Sequence, residues 1–229
     1  MKPFPKTWNR WLATSIVFLI LFLIVTVLVV YRVSQAFDVS YSLIINNTSL
    51  GSGLTTVMVL ASEYGREYFW VPIVAFMLVF GKRDTKMLAV ELAALFVVGI
   101  LAGEVIKLII FRERPFETLG PRIILRVPPD TDSSYPSGHA LIVSIGAIFS
   151  LAKFRKKIVA SLFTIEAGIV CFSRIYVGMH YPLDVVSGIF LGGLIVFAGL
   201  LVLEKYLNRY LAALTDTLSK AFRWAFFSI

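Results

Sequence analysis

Ser173-Arg174-Ile175-Tyr176-Val177-Gly178-Met179-His180-Tyr181-Pro182-Leu183-Asp184 is a polar link between two long apolar runs, and it carries an Arg, a His and a carboxylate. His180 and Asp184 are four residues apart, so a helical turn after Pro182 would bring them onto one face. A carboxylate behind an imidazole sets its tautomer and raises its basicity, which suits a histidine to act as nucleophile or base. The chain has 2 histidines, and the other, His139, closes the equally unusual Pro136-Ser137-Gly138-His139. Paired histidine chemistry beside apolar runs is the first expectation.

Working outward, the apolar runs set the class. Of the 229 residues 58 % are hydrophobic and 16 % charged, and the apolar ones fall in blocks close to the length that crosses a hydrocarbon core of roughly 30 Å. An all-α, polytopic membrane protein follows, with spans expected at 11–33, 68–81, 87–111, 137–154, 158–176 and 183–203. The first block is too long for a signal-peptide core and lacks a small-residue cleavage site after it, so it reads as a permanent span. Residues 34–67 read as an external connector with a helix in or near the interface, and residues 112–135 are too charged for lipid. The lone Cys171 cannot form an intrachain disulfide and reads as a small core residue.

The net charge of +8 does not imply nucleic acid, because the basic residues sit in short turns where they orient spans. With six spans both termini share a side. That side carries 14 of the 22 Lys and Arg, from Lys2, Lys6 and Arg10 through the turns at 82–86 and 153–157 to the tail. The bias places the termini in the cytoplasm and both histidines on the outer face. Residues 1–203 read as one six-span domain and 204–229 as a basic amphipathic cytoplasmic tail, with Leu207, Leu211, Leu214, Leu218 and Phe222 on one stripe.

Three blocks converge on the outer face: Lys107 with Arg114-Pro115, then Pro136 to His139, then Ser173-Arg174 with His180 and Asp184. Lys107 and Arg114 are seven apart, on nearly the same side if the helix persists. The start of the span after Pro136 offers free backbone N–H groups to an anion. Three fixed cations around one site repel each other without a multiply charged anion, and a phosphate ester or diphosphate meets that need.

In this order, Lys-x6-Arg-Pro, Pro-Ser-Gly-His and Ser-Arg-x5-His-x3-Asp resemble the three signature motifs of the type 2 phosphatidic acid phosphatase family of membrane lipid phosphatases. Each motif alone is weak; the three in order, at every defining position, are specific. The resemblance covers about residues 11–203 and implies a two-step, metal-independent mechanism without a cofactor. By it, His180 attacks phosphorus and Asp184 holds and polarises it. His139 protonates the departing oxygen and then activates water. Lys107, Arg114 and Arg174 hold the phosphate oxygens, helped by Ser137 and the N–H of Gly138.

Other charged and aromatic residues take blander readings. Arg112, Arg122 and Arg126 match no motif and read as solvated charges. Tyr135, Tyr176 and Tyr181 read as interfacial aromatics, Asp130 and Asp132 as loop residues, and Glu104 as a structural partner of Lys107. Glu166 lies mid-span, where a carboxylate is costly. A neutral or hydrogen-bonded packing role is favoured over a functional one.

The expected activity is hydrolysis of a lipid phosphate or diphosphate in the cell membrane, with a polyprenyl diphosphate preferred over phosphatidylglycerophosphate or phosphatidate. Vanadium haloperoxidases share such a site but are soluble as a rule. A lipid or anion transporter would place its site near the midplane at a repeat interface, and the chain shows no internal repeat.

Overall fold

A computed structural model of the chain describes residues 6–203 and Thr217. The tail expected at 204–229 thus lies, apart from Thr217, outside the described residues. The described chain is built of helices α1 (Lys6–Val30), α2 (Gln35–Asn46), α3 (Gly51–Tyr64), α4 (Glu67–Phe80), α5 (Arg83–Ile109), α6 (Pro115–Leu119), α7 (Gly138–Lys153), α8 (Lys157–Tyr176) and α9 (Pro182–Val202).

Four of these helices are long and apolar enough to cross a membrane: Trp8–Val30, Arg83–Ile109, Lys157–Tyr176 and Pro182–Val202, with mean hydropathies of 3.0, 2.3, 1.7 and 2.6. The spans expected at 68–81 and 137–154 appear as the shorter apolar helices Glu67–Phe80 and Gly138–Lys153, of 14 and 16 residues. At 1.5 Å per residue these reach roughly 21 and 24 Å, less than a full hydrocarbon core. On α1, Ile16, Val17, Ile20, Leu23, Ile24 and Val27 are each about half exposed. A ring of exposed aliphatics on an apolar helix is what a lipid-facing surface presents.

The most enclosed element is α7. From Ala140 to Ala147 every side chain is buried, because α5, α8 and α9 all pack on it. Small residues permit the closest of these approaches. A Cβ on Gly188 would lie 2.6 Å from the Ser137 carbonyl oxygen, and one on Gly192 3.0 Å from that of Leu141. Where lipid on both sides weakens any hydrophobic drive, such close backbone packing is the main source of helix association. On its other side α9 packs along α1, with Phe18 against Phe190 and Phe197.

The connector 34–66 is more ordered than the sequence suggests: it forms both α2 and α3, and these pack on α8. The apolar run at 54–61, too short to cross, is the body of α3. Its partly buried Met58 and Val59 pack with Tyr176, Val177 and Met179 in a small core beside the site.

Candidate active site

The C-terminal ends of α5 and α8 and the N-terminal ends of α7 and α9 meet at one end of the bundle, so the three motif blocks converge as expected. A cavity of about 400 Å³ opens between them. His139, His180, Lys107 and Arg114 line it, together with Asp130, Asp132 and Arg66. A larger cavity of about 570 Å³ lies at the ends of α1 and α5, beside Val30, Ile109 and Phe111, and holds neither histidine.

Local backbone chemistry sets His180. Helix α8 ends at Tyr176, and the chain turns away at Gly178, whose φ of +86° is open to glycine at little cost. The N–H groups of Met179 and His180 then both donate to the Arg174 carbonyl, at 3.2 and 3.1 Å. The next helix starts with Pro182 in its first turn, and Asp184 reaches back to accept the Tyr181 N–H at 2.9 Å as a capping residue. The turn after Pro182 is therefore helical, as the His180–Asp184 spacing requires.

The pairing of these two residues differs from a direct contact. His180 Nδ1 lies 3.8 Å from Asp184 Oδ2, but 2.9 Å from the backbone carbonyl of Ser134. That carbonyl accepts the Nδ1 proton and leaves Nε2 with its lone pair, 3.3 Å from Arg114 Nη1. The Ser134 hydroxyl donates to Asp184 Oδ2 at 2.5 Å and lies 3.4 Å from His180 Nδ1, so it stands between carboxylate and imidazole. Burial, with the charges of Arg114, Arg174 and Lys107, pushes the His180 ring well below the usual histidine range; the Ser134 carbonyl offsets only part of this. His180 is a neutral imidazole near pH 7.

Asp184 is fully buried, and its principal countercharge is Arg112, whose Nη1 donates to Oδ1 at 2.5 Å. The Nη2 of the same guanidinium donates to the equally buried Asp38 at 2.7 Å, and Asp38 also accepts the Leu183 N–H at 3.0 Å. Burial alone would lower the Arg112 guanidinium; the two carboxylates outweigh it and hold it above its ordinary range. Arg112 is thus no solvated charge. It clamps α2 to the start of α9 and stacks 4.1 Å over the Tyr181 ring.

Lys107 and Arg114 do not share a helix face, because α5 ends at Ile109 and Arg114 is extended at the head of α6. A shared partner brings them together: Asp132 bonds both, while Asp130 reaches Arg114 at 3.5 Å and Arg174 at 3.3 Å. Burial raises the Asp132 carboxyl, but the bonds and charges of Lys107 and Arg114 more than reverse that and bring it to about 2. Glu104 pairs with Lys107 at 3.7 Å, as its spacing suggests. Arg174 is buried, with Nη1 donating to Ser62 Oγ at 2.7 Å.

His139 is half-buried in the first turn of α7 and opens onto the cavity beside Gly138. Ser137 is fully buried and does not line the cavity: its hydroxyl caps α7 by accepting the Ala140 N–H at 3.4 Å, and its N–H donates to the Asp184 carbonyl at 3.0 Å. The three tyrosines are buried rather than interfacial: Tyr135 bonds Thr26 at 2.7 Å, Tyr176 bonds Thr55 at 2.9 Å, and Tyr181 bonds Thr118. Arg126 likewise serves the fold, donating to the carbonyls of Tyr176 and Asn46. Both carboxyl oxygens of Glu166 are buried without a hydrogen-bond partner among the described residues.

Sequence reasoning missed Asp38, Ser62, Arg66 and Ser134. For Ser134 a signal existed, since it lies two residues before the Pro-Ser-Gly-His block; the other three lie in a connector without a motif. No cluster of three or more metal-ligating side chains occurs among the described residues.

The fold and sequence have known counterparts. The chain is 41 % identical over 184 residues to an undecaprenyl-diphosphatase of Sulfolobus acidocaldarius, covering 79 % of this chain and 87 % of that protein. It is 30 % identical over 149 residues to the undecaprenyl-diphosphatase BcrC of Bacillus subtilis, covering 64 % and 73 %. Among solved structures, a transmembrane PAP2-type phosphatidylglycerolphosphate phosphatase from Bacillus subtilis superposes with a TM-score of 0.68 at 23 % identity, over 84 % of this chain and 97 % of that one. LpxE of Aquifex aeolicus superposes with a TM-score of 0.60 at 24 % identity, over 72 % and 94 %. The PAP2 superfamily profile matches residues 87–207, the segment that holds all three motif blocks, and the chain belongs to that superfamily.

Proposed function

We propose that the protein hydrolyses a polyprenyl diphosphate to its monophosphate at the outer face of the cell membrane, through a phosphohistidine. The observation that carries this reading is the buried, neutral His180 with Nε2 directed at Arg114 in a cavity ringed by cations. The 41 % identity to an undecaprenyl-diphosphatase supports the diphosphate substrate.

In this mechanism Nε2 of His180 forms a bond to the terminal phosphorus as the bridging P–O bond breaks, with the electron pair passing to the bridging oxygen. His139, charged by the proton that the negative diphosphate draws to it on binding, gives that proton to the oxygen and then takes one from the water that cleaves the phosphorus–nitrogen bond. Charge developing on the non-bridging oxygens is met by Lys107, Arg114 and Arg174 and by the N–H of Gly138 at the head of α7. Asp130 and Asp132 pair with these cations, and an arriving phosphate takes their place. Asp184, through Ser134, keeps the imidazole oriented and favours the charge it gains on phosphorylation. The residues present balance the charge without a metal.

For topology we propose six crossings, counting the short α4 and α7, whose polar ends carry the connector and the cavity. The excess of basic residues at the opposite end sets the termini in the cytoplasm. Substituting His180 by Ala is expected to lower phosphate release from undecaprenyl diphosphate by on the order of 10⁴-fold or more in detergent, with the melting temperature kept. Substantial turnover in that variant would sink the mechanism.

A further inference from the structure

Three cations line the cavity, and the motif residues Lys107 and Arg114 account for two of them, with Arg174 behind, bonded to Asp130. The third is Arg66, at the corner between α3 and α4. Its setting differs from the others. Asp132 serves Lys107 and Arg114, and Asp130 serves Arg114 and Arg174. Arg66 pairs instead with the adjacent, half-exposed Glu67, and its Nε, like that of Arg174, is buried with no hydrogen-bond partner. A charge with an unused donor at the cavity suits an anion other than the one the acidic loop imitates.

Its position says which anion. Nη1 of Arg66 lies 3.3 Å from where a Cβ on Gly138 would be, and Lys107 Nζ lies 3.9 Å from the same point. Glycine at 138 thus lets the two cations come close to the head of α7, next to His139. His180 approaches from the Arg114 side. In an in-line displacement the group beside the acid His139 is the leaving group. In both cases the bridging oxygen takes the electron pair and the proton from His139. For a phosphate monoester the leaving group is then a neutral alcohol, whereas for a diphosphate it is a second phosphate whose non-bridging oxygens are charged.

We infer that Arg66, with Lys107, binds the phosphate that stays on the lipid, and so selects diphosphates over phosphate monoesters. This rests on the proposed phosphatase reading and names the substrate feature it recognises. The atoms balance as above: the terminal phosphoryl passes to His180 Nε2, the bridging oxygen stays on the lipid monophosphate with the proton from His139, and Arg66 meets the charge on that phosphate's other oxygens.

The test uses two substrates with one tail, farnesyl diphosphate and farnesyl monophosphate, and the full-length protein in detergent. With Arg66→Gln, kcat/KM for the diphosphate is expected to fall about 10²-fold, as on loss of one charge-stabilising donor, and that for the monophosphate by less than about 3-fold. Arg66→Lys keeps the charge without the fork and is expected to lose about 10-fold on the diphosphate alone. Should the Gln variant unfold, judged by its melting temperature, the Lys variant decides the question by the same ratio. A parallel fall on both substrates, or no fall on either, overturns the assignment of Arg66. Failure of the unsubstituted protein to release phosphate from either compound would instead overturn the phosphatase reading.

Discussion

The motif segments at 107–114, 135–139 and 173–184 and the connector at 34–66 meet at the same end of the bundle and contribute in opposite ways. The motif segments put Lys107, Arg114, His139 and His180 into the cavity. The connector, apart from Arg66, works one layer back. Asp38 shares Arg112 with Asp184, Ser62 holds Arg174, and Asn46 accepts the Ile124 N–H and donates to the carbonyls of Ile124 and Tyr176. Chemistry is concentrated in short runs of adjacent residues, while positioning is spread over single polar side chains on two helices. A motif can be recognised in a sequence only where several functional residues fall at a set spacing; a lone Asp or Asn on an amphipathic helix has no such spacing.

If positioning depends on the connector, the clamp at Arg112 is where the comparison breaks most visibly. Arg112→Ala leaves two fully buried carboxylates, Asp38 and Asp184, without their countercharge. A loss of about 3–5 kcal/mol of stability is expected in thermal or denaturant unfolding, with partial recovery when Asp38→Asn is added. An Arg112→Ala protein as stable as the parent would mean that the clamp carries no weight.

Asn46→Ala comes next in size. It removes three bonds to the backbone that tie the 124 loop and the end of α8 to α2. About 1–3 kcal/mol of stability should go, and KM should rise more than kcat falls, because the chemical groups are untouched. An isolated fall in kcat would move Asn46 from the supporting layer to the reacting one.

The smallest expected effect is a shift in pH dependence, and it tests the motif side. In the proposed mechanism His180 must be neutral to attack, and its proton affinity is held well below the ordinary value near 6.5 by burial and by three nearby cations. Phosphoenzyme formation should therefore retain its rate down to a pH below 6.5 and fall only as pH drops through the lowered pKa. Lys107→Gln removes one of those cations, so the acid limb should move upward toward 6.5 in a single-turnover pH profile. A limb that stays in place would show that burial alone sets it.

How much was legible follows the same division. The apolar blocks announced a membrane protein, and the helices lie close to where those blocks fall, from Trp8–Val30 to Pro182–Val202. Two blocks yield helices shorter than a hydrocarbon core, α4 and α7, since α7 ends where Phe154 turns extended and α4 where Gly81 does. The blander readings of Arg112, Tyr135, Tyr176 and Tyr181 erred for one reason. Composition says that charges are usually solvated and that membrane tyrosines usually sit at the interface, whereas burial depends on partners distant in the chain: Arg112 meets Asp38 and Asp184, and Tyr135 meets Thr26.

What the sequence determined by itself is the kind of chemistry to expect: apolar blocks that demand lipid, and two histidines, three cations and a carboxylate whose spacings resemble the motifs of the family. Those features are local, set by residue type and by distances of a few positions along one chain. Only the tertiary structure decided that His180 bonds the Ser134 carbonyl rather than Asp184, that Arg112 bridges two buried carboxylates, and that Arg66 joins the cavity. Each of those contacts spans tens of residues, and its existence depends on how closely α2, α3, α7 and α9 pack. Helix packing is a sum of many weak contacts, and no single spacing in the chain records it.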